Sequence, residues 1–278
     1  MKLKDRVALV TGAGSGMGRA IAVQLAREGA KIGVNDIQPK GIEETLDALE
    51  GVGAAGLALE ADVGNVDQVK GMFKELKATW GTIDLLVNNA GIIFLPGWEG
   101  YRKLHHAALM KAVKEIARTG RMQESMKVTS SFEDEWWHTT LNVHLNGTFY
   151  CTREALKIME EKGRGKIINM ASLAGMHGSL AAVPAYSAAK GGMISFTKAV
   201  AREVIGSGII VNAVAPGFVE TPLLDGLDDR VKKILQAQIP AGRFATEEEI
   251  AKLVAYLATD DANYIVGQII SPNGGMVI

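Results

Sequence analysis

The segment that most restricts how this chain can fold lies near its start. The apolar run Val7-Ala8-Leu9-Val10 leads into Thr11-Gly12-Ala13-Gly14-Ser15-Gly16-Met17-Gly18, followed by Arg19-Ala20-Ile21-Ala22-Val23-Gln24-Leu25-Ala26 with apolar residues at helical spacing. This reads as strand, glycine turn, helix. Glycines at 12, 16 and 18 let the backbone turn tightly, approach a pyrophosphate and open a helix whose N-terminal amides and dipole favour an anion. A glycine cluster alone is an ordinary tight turn; the strand before it and the helix after it make it a candidate dinucleotide site. Strands are predicted near 7–11, 31–35, 56–60, 83–88, 165–171, 209–214 and 268–271, with helices between them. That alternation is the pattern of an α/β chain built on a doubly wound parallel sheet. The 278 residues suit a single domain, 1–278, and 47% hydrophobic residues with 32 glycines suit a sheet buried on both faces.

The second strand, Lys31-Ile32-Gly33-Val34-Asn35, runs into Asp36. A carboxylate about twenty residues past the glycines accepts hydrogen bonds from a ribose diol and repels a 2′-phosphate. No Arg or Lys stands at Ser15 or Ile37 to welcome that phosphate. The pattern therefore favours NAD over NADP. Further along, Tyr186 and Lys190 are four residues apart and share one helix face. A phenol titrates near 10, so it is a poor base at neutral pH unless a fixed cation favours the phenolate; Lys190 is placed to be that cation. Ser172 follows the apolar strand Lys166-Ile167-Ile168-Asn169-Met170-Ala171, so its hydroxyl should emerge at a strand's carboxyl end, where open α/β sheets bind ligands.

Together these residues resemble the short-chain dehydrogenase/reductase family over nearly the whole chain, with Asp62-Val63, Asn88-Asn89-Ala90-Gly91, Asn212, Pro216-Gly217 and Asn273-Gly274-Gly275 as further landmarks in order. The resemblance implies a Rossmann fold and NAD held by Gly12, Ser15, Gly16, Met17, Gly18, Asp36, Ile37, Asp62, Val63, Asn89, Ala90, Gly91, Tyr186, Lys190, Pro216, Gly217, Val219 and Thr221. It implies that Asp62 and Val63 flank the adenine, that Asn88 to Gly91 line the cofactor cleft, and that 216–221 closes over nicotinamide. It also implies catalysis by Ser172, Tyr186 and Lys190. Ser172 hydrogen-bonds the substrate oxygen beside Tyr186, Tyr186 exchanges the hydroxyl proton while hydride passes to or from the cofactor, and Lys190 bonds the nicotinamide ribose as well. The family usually forms tetramers through its long helices, so a homotetramer is implied, with Trp136 and Trp137 serving those contacts or internal packing.

One position departs from the family. Where an asparagine is usual, in a helix before the serine strand, this chain has His144 in His144-Leu145-Asn146-Gly147. In the family that site supports a water chain feeding protons to the lysine, partly through its backbone carbonyl, which survives any substitution. His144 either continues the relay with an imidazole that titrates near neutrality or is a packed helix histidine. Asn142 and Asn146 lie nearby but out of register.

The stretch between Gly91 and His144 is roughly thirty residues longer than family members use, and long connections without function are uncommon. It is read as an insertion at about 96–130 carrying an amphipathic helix from Glu99 to Arg118, with Tyr101, Leu104, Ala108, Leu109, Ala112, Val113 and Ile116 on its apolar side. It either walls the substrate pocket, the favoured reading, or makes a subunit contact. A substrate lid is expected at about 218–243. Its leucines, with Phe94, Leu95 and Met176, point to an apolar substrate, while Arg230, Lys232 and Lys233 are either a contact for an anionic handle such as coenzyme A or a solvated face. His105-His106 project about 100° apart on a helix and no nearby acidic residue or cysteine completes a metal site, so no metal is assigned. Helix starts are expected at Ser131, with an acid three positions on, and at Thr246.

A formal net charge of −1 gives no reason to expect nucleic acid or an anionic membrane as partner. Cys151, the single cysteine, excludes an intrachain disulfide and fits a reducing cytosol. No secretory leader or membrane-spanning run is visible, so a soluble cytoplasmic protein with a small-molecule substrate is expected. The leading functional reading is an NAD-dependent oxidoreductase interconverting a secondary alcohol and a ketone on an apolar, cyclic or acyl-thioester substrate. The alternatives are a 3-oxoacyl thioester reductase and, from another class, a non-catalytic cofactor-binding subunit.

Overall fold

The computed structural model describes residues 1–93, 95, 97–178, 183–221 and 229–278, with backbone alone at 229–231. Phe94, the leucines at 223, 224 and 227, and the Arg230 side chain lie outside the described residues. Of the expected lid, 218–221 and 229–243 are described.

Seven strands form one parallel sheet: β1 (Val7–Thr11), β2 (Lys31–Asp36), β3 (Gly56–Glu60), β4 (Leu85–Asn88), β5 (Gly165–Met170), β6 (Ile209–Val214) and β7 (Ile269–Ile270), in the spatial order β3-β2-β1-β4-β5-β6-β7. The order reverses between β1 and β4, which leaves a crevice beyond their carboxyl ends. All seven expected strands are present, within two residues at each end. Helices α1 (Gly16–Arg27), α2 (Pro39–Glu50) and a late helix (Glu247–Ala258) cover one face, where Ile21, Leu25, Ile42, Leu49, Ile250 and Val254 are buried. Helices α3 (Val66–Trp80), α6 (Gly147–Lys162) and α8 (Pro184–Val204) cover the other with Val69, Leu76, Ala155, Ile158 and Val200. Cys151 belongs to this second core and is fully buried. Burial of both faces explains why the strands read as continuous apolar runs rather than alternating ones.

Polar side chains inside the sheet fix its register at the crevice. Thr11 Oγ1 accepts the Asn89 and Ala90 amides, both at 3.0 Å, and Asn89 Nδ2 donates to the Thr11 and Gly12 carbonyls at 3.0 and 3.2 Å. Asn88 Nδ2 donates to Asn169 Oδ1 at 2.8 Å and to Thr152 Oγ1 at 3.1 Å, and Asn169 Nδ2 donates to Thr197 Oγ1 at 2.9 Å. This buried ladder ties β4, β5, α6 and α8 together. Its directional bonds restrict how these elements can slide past one another, while Asn88 Oδ1 is buried without a partner.

Between β4 and α6 run α4 (Glu99–Thr119), a 3₁₀ turn (Thr129–Ser131), α5 (Asp134–Leu141) and a π-helical turn (Asn142–Asn146). Helix α4 matches the expected amphipathic segment. Its first half joins an aromatic cluster of Trp98, Tyr101 and Trp136, with Ile92, Leu95, Leu104 and Phe132 against it. Its second half places Leu109, Met110 and Val113 beside Phe218, Leu235 and Ile239 of the described lid and Phe244 just after it. Ile116, expected on the apolar side, is 37% exposed. The helix start expected at Ser131 is displaced: Phe132 is extended at φ −81°, ψ 129°, its ring lies 5.0 Å from Tyr101 and 5.6 Å from Trp136, and α5 begins after Glu133. Packing of that partly buried ring against the cluster outweighs the local capping preference. At Thr246 the expected cap is present as a reciprocal box with Glu249. Of α7 (Ala174–His177) and α9 (Asp229–Ala237), the first carries the serine loop and the second belongs to the lid; Glu247–Ala258 is α10. Among the described residues no helix is long and apolar enough to cross a membrane.

The glycine turn tolerates no side chain at its third glycine. A Cβ on Gly18 would lie 2.0 Å from the Gly12 carbonyl oxygen and 2.6 Å from Asn89 Nδ2. Gly18→Ala is therefore expected to lower stability by about 2 kcal/mol or more through forced backbone displacement, measured by urea denaturation; a loss within about 0.5 kcal/mol would show that the turn relaxes freely.

Candidate active site

Two chain segments converge on the carboxyl edge of β5. Ser172 leaves the strand two residues after Met170, and its Oγ accepts the Ala174 amide at 3.2 Å. Helix α8 opens with Pro184, whose fixed φ suits a first turn, so Tyr186 sits in that turn and Lys190 one turn on. The two polypeptide stretches touch because residue 175 is glycine: a Cβ there would lie 2.6 Å from the Lys190 carbonyl carbon and 2.7 Å from the Gly191 nitrogen. The Tyr186 hydroxyl is hydrogen-bonded to Ser172. Lys190 Nζ donates to the Met170 carbonyl at 2.6 Å and lies 5.6 Å from the centroid of the Tyr186 ring. Ser172, Tyr186 and Lys190 thus form one contiguous group.

Burial governs its ionisation. The Tyr186 phenol is raised above its ordinary value by desolvation, opposed by the Ser172 hydrogen bond. The Lys190 amine, 4% exposed, is pushed down to about 7 by desolvation. The net shift of the phenol is upward, and the Lys190 amine donates to the Met170 carbonyl and lies beside the Tyr186 ring. At neutral pH Tyr186 is a phenol, the proton-donating form, and burial weakens the hold of Lys190 on its proton.

His144 lies in the π-helical turn, 1% exposed. Its Nε2 is 3.0 Å from the Ile92 amide and 2.7 Å from the Ile92 carbonyl, its Nδ1 has no partner, and its ring meets that of Tyr186 edge-on at 5.2 Å and 87°. The imidazole is lowered to about 3, first by burial and then by the Lys190 cation, against the Ile92 bond. The reading of a histidine that titrates near neutrality is therefore corrected: the ring is packed, hydrogen-bonded and neutral. Its carbonyl accepts from Thr148 Oγ1 at 2.7 Å. Asn142 points away, donating to the Gly64 carbonyl at 3.1 Å, and Asn146 donates to Asn142.

The remaining predicted positions line the same sheet edge in different ways. Gly12 and Gly16 have φ of +62° and +53°, which glycine adopts freely. Ser15 precedes α1 in extended conformation and makes no side-chain cap bond, so no side chain of the residue itself screens the first-turn amides at Gly16, Met17 and Gly18. Asp36 Oδ2 accepts from the Gly14 amide and Oδ1 from the Gln38 amide, each at 3.0 Å, and each oxygen keeps a lone pair. Ile37 is 53% exposed beside it. Asp62 Oδ1 accepts the Gly64 amide at 2.8 Å. Several positions have structural duties. The Val63 side chain is buried against Gly147, Asn89 spends its amide on the glycine turn, and Ala90 packs on Gly12. Asn212, a family landmark, donates to the Ile265 carbonyl at 2.6 Å and accepts from Gln268. Pro216 accepts the Leu173 amide, Gly217 donates to Pro272, Val219 bridges to Ala245, and Thr221 ends the described segment. Sequence reasoning missed the Met170 carbonyl, Ile92 and Gly175. Backbone partners carry no side-chain signal, and only Gly175 had one, its proximity to the serine.

A model of the short chain dehydrogenases matches residues 6–232. The chain belongs to the short-chain dehydrogenase/reductase family, oxidoreductases that act on CH–OH groups with a nicotinamide cofactor. It is 38% identical over 270 residues to a 3-oxoacyl-(acyl-carrier-protein) reductase of Staphylococcus aureus, covering 97% of each chain. It is 34% identical over 275 residues to a hydroxy(phenyl)methylsuccinyl-CoA dehydrogenase subunit of Thauera aromatica, covering 99% of this chain and 98% of that one. Among solved structures, a chain assigned as a gluconate dehydrogenase of Agrobacterium tumefaciens superposes with a TM-score of 0.84 at 31% identity, covering 100% of this chain and 98% of that one. A dinucleotide fits the residues present: helix α1 has no side-chain cap, and the Asp36 carboxylate has unused lone pairs at the end of β2.

The buried imidazole makes stability depend on pH. In the unfolded chain His144 protonates below about 6.5, whereas in the folded protein it stays neutral to about 3. Between those values the unfolded chain binds one more proton, so this group's contribution falls as pH drops, by about 1.4 kcal/mol per unit. Urea unfolding of the wild type and His144→Phe between pH 6.5 and 4.5 should diverge with that slope, the wild type losing more; parallel curves would mean a histidine protonated when folded.

Proposed function

We propose that the protein interconverts a 3-oxoacyl thioester and the corresponding 3-hydroxyacyl thioester with NAD(H). What carries the reading is the hydrogen-bonded pair of hydroxyls, Ser172 and Tyr186, with Lys190 buried behind them. The thioester is supported by two relatives, one named for a 3-oxoacyl group on a carrier protein and the other for a substituted succinyl-CoA.

In the reductive direction the ketone oxygen accepts hydrogen bonds from Ser172 and Tyr186, which hold the carbonyl carbon in place. The cofactor supplies hydride to that carbon when bound. As negative charge develops on oxygen, the Tyr186 O–H transfers its proton there, leaving a phenolate whose charge the neighbouring Lys190 ammonium favours. The free-state preference of Tyr186 for its phenol form suits this direction; oxidation runs the same proton backwards. The dinucleotide is assigned to Gly12, Ser15, Gly16, Met17, Gly18, Asp36, Ile37, Asp62, Val63, Asn89, Ala90, Gly91, Pro216, Gly217, Val219 and Thr221, with the ribose also reached by Tyr186 and Lys190. Asp36 is the reason for NAD, through repulsion of a 2′-phosphate. Helix α4 and the described lid residues share one apolar cluster, which supports α4 as a wall of the substrate pocket. A homotetramer located in the cytoplasm is the assembly that goes with this reading.

Tyr186→Phe should retain NADH binding, followed by cofactor fluorescence, while turnover of acetoacetyl-CoA falls by about a thousandfold or more, the scale of a lost acid catalyst and its coupled partners. A chain that binds NADH but turns over nothing in either form would instead be a non-catalytic subunit. Separately, kcat/KM should be at least about tenfold higher with NADH than with NADPH, corresponding to roughly 1.4 kcal/mol of repulsion at Asp36; equal use of both would remove that role.

A further inference from the structure

Helix α4 carries five basic residues and two acidic ones in a chain whose formal charge is −1, so positive charge is concentrated on this one element. Its second half holds a groove of about 630 Å³ lined by Ala107, Met110, Lys111, Lys114, Glu115 and Arg118. Residues 107, 110, 111, 114 and 118 recur at helical spacing and share one side of the helix, with Lys111 to Arg118 covering about 10 Å of its axis. Two of the charged groups are already engaged. Lys111 pairs with Glu124 at 2.7 Å, and the Glu115 carboxylate accepts the Gln123 and Glu124 amides at 2.8 and 3.3 Å, which ties both to the turn after the helix. Lys114 and Arg118 are exposed, and among the described residues neither has an ion-pair partner. Like charges three and four residues apart destabilise a helix, so Lys111, Lys114 and Arg118 repel one another until an anion binds among them. The helix dipole accounts for Arg118, in the last turn, and not for the other two.

The groove is joined to the reaction site through apolar contacts. Phe218, the first residue of the lid, packs with Leu109, Met110 and Val113, so Met110 belongs both to the lid cluster and to the groove. The other end of α4 starts in the cluster of Trp98 and Tyr101, which includes Ile92, the residue bonded to His144 beside Tyr186. From Tyr101, Lys111 and Arg118 lie about 15 and 26 Å along the helix axis. A thioester held at Ser172 and Tyr186 therefore needs an extended arm to bring an anion to these cations. We propose that the groove binds the adenosine 3′,5′-bisphosphate end of coenzyme A, so that the substrate is a coenzyme A thioester and α4 is the element that recognises it. Coenzyme A has the arm, since pantetheine separates its sulfur from the phosphorylated adenosine. Arg118 offers a planar fork for phosphate oxygens and a face for the adenine, Lys114 a point charge, and Met110 with Ala107 an apolar floor. A carrier protein needs a broad basic surface, whereas these cations converge over about 10 Å of one helix in a concavity of nucleotide size.

This inference rests on the thioester reading, and the test separates the two. Adenosine 3′,5′-bisphosphate is titrated by calorimetry into the full-length protein with NADH at saturation, so that the dinucleotide site is filled, for the wild type, Lys114→Gln and the double variant Lys114→Gln/Arg118→Gln. Both side chains are exposed, so the variants are expected to fold. The wild type should bind the bisphosphate, and the single variant should bind it about tenfold more weakly, the scale of one charged hydrogen bond. The double variant should bind more weakly still, and added salt should weaken wild-type binding through screening. No binding, or equal binding by all three proteins, would overturn the inference. In turnover, kcat/KM for acetoacetyl-CoA is compared with that for the acetoacetyl thioester of N-acetylcysteamine, which lacks the nucleotide. The ratio of the two should fall by about tenfold or more in the double variant, through KM. An unchanged ratio with both compounds turned over overturns the inference and keeps the thioester reading. If neither compound is turned over, the thioester reading fails and the calorimetry alone decides the groove. Faster turnover of an acetoacetyl-carrier protein, lost in the double variant, assigns the groove to a protein partner and overturns the inference.

Discussion

The arrangement of this molecule depends on how two chain segments are sewn together where the sheet changes direction. Beyond Thr11 the chain must turn into α1, and beyond Asn88 it must turn the other way. Both turns end in backbone amides and carbonyls that no longer have a strand to bond to. The Thr11 hydroxyl accepts two of those amides and the Asn89 side chain covers two of the carbonyls. With these groups satisfied internally, Gly12 can press against Ala90 and the first turn of α1 can face the crevice without a side-chain cap. A dinucleotide site of this kind is a by-product of satisfying the backbone at a switch point.

From that seam the buried amide ladder extends the constraint across β4 and β5 to α8, so the helix bearing Tyr186 and Lys190 is aligned by Asn88, Asn169 and Thr197 rather than by apolar packing alone. Apolar contacts are non-directional and permit small slips; bonded amides in a dry interior do not. The same dryness sets the ionisation of the site. Desolvation raises Tyr186 and lowers both Lys190 and His144, and for the two bases it exceeds the effect of every neighbour. The free protein therefore presents a proton donor beside an amine whose charged form burial disfavours, a different resting state from a pre-formed phenolate.

Much of this was legible in the residues. Periodicity located every strand, since buried parallel strands are continuous apolar runs, and the glycine turn, Asp36, Ser172, Tyr186 and Lys190 were each recognisable from chemistry and spacing. The helix from Glu99 was equally visible. Its packing partners were not: the pairing of Leu109 with Leu235 and of Tyr101 with Trp136 joins residues far apart in the chain, and the delayed start of α5 follows from the packing of Phe132 on Tyr101 and Trp136. A local capping rule cannot anticipate a ring claimed by a distant cluster.

By itself, then, the sequence determined the order of strands and helices, the identity of the groups that could do chemistry and the edge of the sheet where they emerge, because these depend on short-range periodicity and on side-chain type. Only the tertiary structure decided their state. Whether Lys190 aims at a phenol or at the Met170 carbonyl, whether His144 titrates or stays neutral, and which glycines are obligatory depend on solvent exclusion and on backbone atoms brought close by folding. Burial free energies and backbone partners belong to no single residue, so they are fixed when the chain closes around them.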